Sequence, residues 1–473
     1  MMSYIACISR SVKRSYFTAR SSLEEKDSFY RVCPIDRTIV RRYATHRTMK
    51  TTVFLSALIA MSASAFAQNE APAGFTALFN GKDLAGWRGG DTADHRAYAA
   101  MPDAKKQEWT ADMLKHWKSE GGELLNDGHG KYATTEKEYG NFELLVEYNM
   151  APKGDSGIYL RNVPQVQIWD HTDDDKGALG RTKGSGGLWN NSPGAPGKDP
   201  LVLADKPAGE WNKFRIVMVG SRVSVWLNDK MTVDHAILEN FYDRKKPVPA
   251  KGPICLQTHG APIKWRNIFV REIGSEEANK IVAGKGGEGF ESIWNGKDFE
   301  GWGGPVDQYE VVDGAIRCIK GKGGTIYKKE EYSDFVARLE FKLPPNGNNG
   351  LAIRYPGEGN TAYVGMMENQ ILADDYKGID PRQAHGSAYG MLAAERGYQH
   401  PIGEWNFEEV TVKGSTIKVE LNGTVILDGD VSKVTEFMAK SEHPGKDRKS
   451  GFFGFAGHSD PVMFRNISIK KLK

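Results

Sequence analysis

The sequence predicts an all-β protein built from two antiparallel β-sandwich domains in tandem, the first carrying a helical insertion. Three observations lead there. The chain repeats itself, its apolar residues alternate with period two, and its 473 residues are too many for one ordinary domain. With 40% hydrophobic and 10% aromatic residues, both cores can be filled.

The repeat is explicit. GFTALFNGKDLAGW at Gly74 to Trp87 recurs as GFESIWNGKDFEGW at Gly289 to Trp302, with eight of fourteen positions identical. DSGIYLR ending at Arg161 matches NNGLAIR ending at Arg354, and PAGEWN at Pro207 matches PIGEWN at Pro401. LQTHGAPIKWRNI from Leu256 matches FAGHSDPVMFRNI from Phe455. The order never changes, so residues 68–273 and 289–473 read as homologous domains joined by a linker at 274–288.

The offset between copies falls from 215 at the first motif to 193 at Arg161 and Arg354, which places about 22 extra residues after Trp87 in the first copy. That insertion holds a helix signal from Asp103 to Trp117, free of Gly and Pro, with Trp109, Met113 and Trp117 on one face. It reads either as a covering helix or as a lid. Elsewhere FELLVEY, FRIVMV, VSVWLN, FVARLEF, IKVELN and ISIKKL alternate as strands, and Gly-Ser or Asn-Gly turns separate them.

Residues 1–67 hold eleven basic groups against four acidic ones. Without them the body carries about −4, so no basic patch points to nucleic acid or an anionic membrane surface. Met49, Lys50 and the apolar run from Val53 to Ala67 form a secretory signal at 49–67, and residues 1–48 upstream of it look like a start assigned too early. The run is too short to span a bilayer, and no later stretch approaches 18 apolar residues. The expected product is exported, periplasmic or secreted. Only Cys255 and Cys318 follow the signal, at non-equivalent repeat positions, which is no disulfide framework. Oligomeric state is left open by the sequence.

These motifs, F-N-G-K-D-L-x-G-W, S-G-I-Y-L-R, Q-V-Q-I-W-D, G-S-G-G-L-W-N-N, G-E-W-N, L-Q-T-H-G and W-R-N-I, together resemble the 3-keto-disaccharide hydrolase domain family. The second copy resembles it through NGKDFEGW, ENQILAD, GEWN and FRNI. The resemblance implies a concanavalin-like jelly roll in exported proteins that act on carbohydrate. Where the family pattern has Glu before V-Q-I-x-D, this chain has Gln165 in the first repeat and Glu368 in the second, so only the second presents a carboxylate there.

Period two puts Gln165, Gln167 and Trp169 on one strand face and Glu368, Gln370 and Leu372 on the matching one, a polar surface suited to a sugar groove. Arg161 and Arg354 end the preceding strands and are candidates to bind hydroxyls or a ketone; a structural ion pair is the alternative. His259 and His458 hold equivalent positions where a histidine could move protons near neutral pH. Gln257, Trp189 and Tyr389 complete the candidate sugar contacts, the aromatics by stacking or else as core. No cofactor is expected. The acidic loop Asp170, Asp173, Asp174 and Asp175 could offer oxygens to calcium, but its spacing does not match an EF-hand.

On this reading a general base removes the C2 proton that a C3 ketone acidifies, C1 loses its leaving group, and water completes net hydrolysis. Glu368 or His458 would be that base in the second domain, with Arg354 or Gln370 stabilising the enolate, and His259 or Asp170 would serve in the first. The alternative is a lectin-like module that binds carbohydrate without turnover.

Overall fold

The structure is a computed structural model that describes residues 70–173, 175 and 179–473. The upstream segment 1–48, the signal at 49–67 and Asp174 lie outside the described residues. Each repeat pairs an eight-stranded antiparallel sheet with a five-stranded one, in the same strand order both times. In the first copy the five-stranded sheet runs Trp87–Gly90, Tyr132–Thr135, Cys255–Leu256, Asp155–Leu160, Val163–Trp169. In the second it runs Trp302–Gly303, Gly323–Tyr332, Gly451–His458, Asn348–Tyr355, Met367–Leu372.

Alternation decides what each sheet buries. Val166 and Ile168 join Phe142, Tyr148, Phe214 and Trp265 in the first core, while Met367 and Ile371 join Phe335, Phe341, Phe453 and Phe464 in the second. The intervening residues, Gln165 and Gln167 or Glu368 and Gln370, are thereby carried on the opposite face. On the larger sheets Arg266 and Arg465 are equivalent braces. Each binds a neighbouring glutamate, Glu147 at 2.8 Å or Glu340 at 2.6 Å, and covers a tryptophan ring, Trp211 or Trp405.

The predicted helix is present as Asp103–His116, and it covers core rather than site. Met113 is fully buried in the first core. The helix backbone lies so close to strand Trp87–Gly90 that a Cβ on Gly89 would sit 2.1 Å from the Trp109 carbonyl oxygen. Trp117 instead opens the next strand.

The interval 274–288 is more than a tether. Ser275–Ala283 forms a helix whose Ala278 and Val282, four residues apart, pack with Val217, Val219 and Ile273 of the first sandwich and Phe407 of the second. Arg222 adds a bidentate contact to Glu420, and the Ser221 N–H donates to the Gly423 carbonyl at 3.0 Å. Among the described residues no helix is long and apolar enough to cross a membrane.

Candidate active site

The second sandwich presents a cavity of about 240 Å³ over strand Met367–Leu372. Glu368, 3% exposed, lies across the neighbouring strand, opposite Ala352 and diagonal to Gly350. A Cβ on Gly350 would come within 2.2 Å of Glu368 Oε1, so the missing side chain is the space the carboxylate occupies. Oε1 lies 3.3 Å from Nε2 of His458, at the end of the next strand. The hydrogen bond that the imidazole donates to Glu368 raises its pKa above the ordinary value, the charges of Glu368 and Asp460 reinforce the shift, and burial opposes it.

Around this pair the wall is polar and aromatic. Gln370 donates to Asn348 Oδ1 at 2.6 Å and to the Asn349 carbonyl, which leaves its own Oε1 buried without a partner. Tyr363 meets Tyr389 edge-on at 6.4 Å, and Gln383 donates to the Tyr389 hydroxyl at 3.3 Å. Burial raises the Tyr389 pKa, which keeps that hydroxyl protonated and able to donate. Tyr363 rides on a single helical turn, Thr361–Val364, capped by Asn360. Sequence reasoning named Gln370 and Tyr389 on this wall but missed Tyr363 and the turn that carries it. The signal was the same offset arithmetic: Arg354 and Glu368 are 14 apart whereas Arg161 and Gln165 are 4 apart, so the second copy has an insertion here.

The first sandwich fills the equivalent place. Gln165 donates to Gln167, which donates to Asp155 at 2.9 Å. Asp155 is held by Arg181 at 3.0 Å, and Arg181 also binds Asp173 at 2.7 Å. That fully buried guanidinium lies 5.9 Å from the Trp169 ring centroid. Trp169 donates to the Gly184 carbonyl and packs on Trp189 at 4.9 Å, and the Lys198 ammonium stands over the Trp189 ring. Trp169 takes the position of Leu372, so indole and guanidinium stand where the second copy is hollow. His259 lies 3.6 Å from the Asp155 carboxylate, because Gln165, the counterpart of Glu368, is an amide. Gln257 makes a 3.3 Å bond to Tyr159, where the second repeat has Ala456.

A family model described as the 3-keto-alpha-glucoside-1,2-lyase-like domain matches residues 74–271 and again residues 289–470. The chain belongs to this family. A curated relative, the 3-keto-disaccharide hydrolase of Bacteroides thetaiotaomicron, is 24% identical over 248 residues, 43% of this chain and 86% of its own length. Among solved structures, a provisionally assigned glycosyl hydrolase of Parabacteroides distasonis is 26% identical with a TM-score of 0.35, over 40% of this chain and 95% of its own. A carbohydrate-binding module of Bacillus subtilis is 13% identical with a TM-score of 0.24, over 38% of this chain and 100% of its own. The names of the family and the curated relative both designate chemistry on 3-keto sugars.

Several expected site residues of this 3-keto-alpha-glucoside-1,2-lyase-like chain lie elsewhere. Arg161 and Arg354 both sit at positive φ, 54° and 48°, and their guanidinium groups donate to the fold rather than to the cavity. Arg161 donates to the carbonyls of Gly140 and Pro249; Arg354 donates to those of Ser333, Gly414 and Arg448 and pairs with Asp334 at 2.9 Å. None of these partners lines the cavity. Asp170 closes a turn, accepting from the Lys153 N–H and from Thr172. Although burial opposes it, these bonds hold its pKa below the ordinary value, a poor setting for a base. Of the candidate calcium ligands, Asp173 binds Arg181, Asp175 binds the Lys153 ammonium at 2.7 Å and Asp170 the Lys153 N–H, so each carboxylate is already engaged. Among the described residues no three metal-ligating side chains converge. Trp169 offers no free face, being 4% exposed.

Proposed function

We propose that the chain is an exported hydrolase of 3-keto-glycosides and that its second sandwich does the chemistry. The observation that carries this reading is the Glu368–His458 pair, 3.3 Å apart on the wall of the 240 Å³ cavity. Glu368 accepts the Nε2–H, which leaves the Nδ1 lone pair of neutral His458 to take the C2 proton of a substrate with a ketone at C3. The electron pair moves onto the ketone oxygen as an enolate, for which the Tyr363 and Tyr389 hydroxyls are the available donors. Collapse of the enolate expels the C1 oxygen with its sugar or aglycone, which takes up a proton, and forms a C1=C2 bond. Water then adds its oxygen to C1 and a proton to C2, so the sum is hydrolysis. The lyase and hydrolase in the names of the family and the relative correspond to stopping before or after that hydration.

For the first sandwich, Gln165 in the place of Glu368 and the indoles in the place of the cavity favour a role without turnover, as a sugar-binding or supporting module. The signal at 49–67 supports action in the periplasm or outside the cell. The test is product release from a 3-keto-glucoside and from its unoxidised parent. Cleavage of the keto substrate alone is expected. Cleavage of both would demand ordinary acid–base glycosidase chemistry, and cleavage of neither by folded protein would favour a binding module throughout.

A further inference from the structure

Between the two sandwiches lies a second cleft, about 290 Å³, that shares no wall with the Glu368 cavity. Arg161 lines it. The residue is 1% exposed yet makes no ion pair among the described residues. Its Nε and Nη2 donate to the Gly140 carbonyl at 2.9 and 2.7 Å, Nη2 also to Asn141 Oδ1 at 3.3 Å, and Nη1 to the Pro249 carbonyl at 3.0 Å. A guanidinium has five N–H groups, so one on Nη1 is left over. Burial without a counter-charge lowers the Arg161 pKa to about 9.

The second repeat supplies an internal control. Arg354 occupies the same turn, and there Asp334 pairs with it at 2.9 Å. Asp334 and Asn141 are equivalent positions. Each precedes the Phe that opens its strand, and each accepts the N–H of a turn glycine at 2.9 Å, from Gly414 and Gly220 respectively. The first repeat thus keeps the arginine and replaces its carboxylate with a neutral amide of the same shape.

The other charges of the cleft do not compensate. Lys251 lines it without an ion pair among the described residues, Glu272 is bound to Lys137, and Glu404 accepts from the Ser275 hydroxyl. His400, on the same wall, donates its Nδ1–H to the Trp405 carbonyl at 2.8 Å, and burial lowers its pKa, so it adds no positive charge to the cleft. We propose that the cleft binds a small oxyanion, carboxylate or phosphate, whose charge replaces the one that Asp334 supplies to Arg354. Buried charges are held in folded proteins by a partner of opposite sign, and here the partner has been removed while the charge and a cleft beside it remain.

The experiment uses the full chain and follows thermal unfolding in glucuronate, in inorganic phosphate and in sodium chloride at matched ionic strength. The wild type is expected to gain a saturable rise in Tm with glucuronate, phosphate or both, and none with chloride. Which anion acts identifies the source, a sugar acid or a phosphate. Asn141→Asp restores the arrangement of the second repeat, so its Tm is expected to start higher and to respond no further. Asp334→Asn makes the mirror test, and should lower the starting Tm because it strips Arg354 of its partner. No rise in the wild type with either anion, or an equal rise in Asn141→Asp, overturns the proposal.

Discussion

Replacing Glu368 with Gln converts the second repeat into the first at the residue that most distinguishes them. The exchange preserves shape, and the new amide oxygen can still accept the His458 Nε2–H now 3.3 Å away, so folding should change little, by under about 1 kcal/mol. What disappears is charge. General acid–base catalysis contributes about 10²- to 10⁴-fold, so kcat/KM on a 3-keto-glucoside should fall by that range, about 3 to 5 kcal/mol of barrier. The pH profile gives a second readout. In the wild type the carboxylate holds the His458 pKa above its ordinary value, so the neutral imidazole forms only above that raised pKa. In the variant the pKa falls, and the acid limb of the residual activity should move to lower pH. Gln165→Glu in the first sandwich should add nothing, because Trp169 and Arg181 already fill that site. Turnover of Glu368→Gln within about threefold of wild type, or an acid limb that stays in place, would refute the assignment.

Three further outcomes are expected. Gly350→Ala drives a Cβ to 2.2 Å from Glu368 Oε1; overpacking of this kind costs about 1–3 kcal/mol, so thermal unfolding should register that loss while turnover falls at least tenfold by displacement of the carboxylate. Leu372→Trp copies Trp169 into the cavity wall, and should abolish turnover and substrate protection in thermal unfolding while the fold persists in circular dichroism. Arg354→Met removes the partner of the part-exposed Asp334 and of three carbonyls; leaving buried acceptors unsatisfied costs about 1–3 kcal/mol, seen in urea unfolding, yet turnover per folded molecule at low temperature should match wild type.

Much of this was legible in the residues. Alternation alone separated Val166 and Ile168 from Gln165 and Gln167, because a strand has only two faces and one must be apolar. It also put Glu368 and Gln370 together on the polar side, and the repeat aligned His458 with His259. What alternation cannot reveal is what stands opposite a face. Trp169 has the right phase for a sugar platform, but Arg181, twelve positions on, closes beneath it through two aspartates of separate segments. Arg161 and Arg354 were misplaced for a local reason. Their left-handed backbone turns the side chain out of the strand's alternation, and nothing in the flanking Leu160 or Ile353 announces that. The sequence reads 274–288 only as a linker, and its glycines at 284, 286 and 287 mask a helix in the nine amphipathic residues before them.

The joint between the two copies is directional. The first sandwich offers the turn at Gly220 to Arg222; the second answers with Glu420 to Thr424, which is a different turn of the repeat. Head-to-tail contacts of this kind do not close on themselves and, repeated, give open strings of subunits. The residues that would continue the string have diverged. A further molecule approaching the far end would meet Thr416 where Arg222 stands in the existing joint, and its partner surface would present Trp226 where Glu420 stands. The charge pair that fastens one copy to the next is therefore present once in the repeat, and the equivalent outer positions, Thr416 and Trp226, cannot reproduce it.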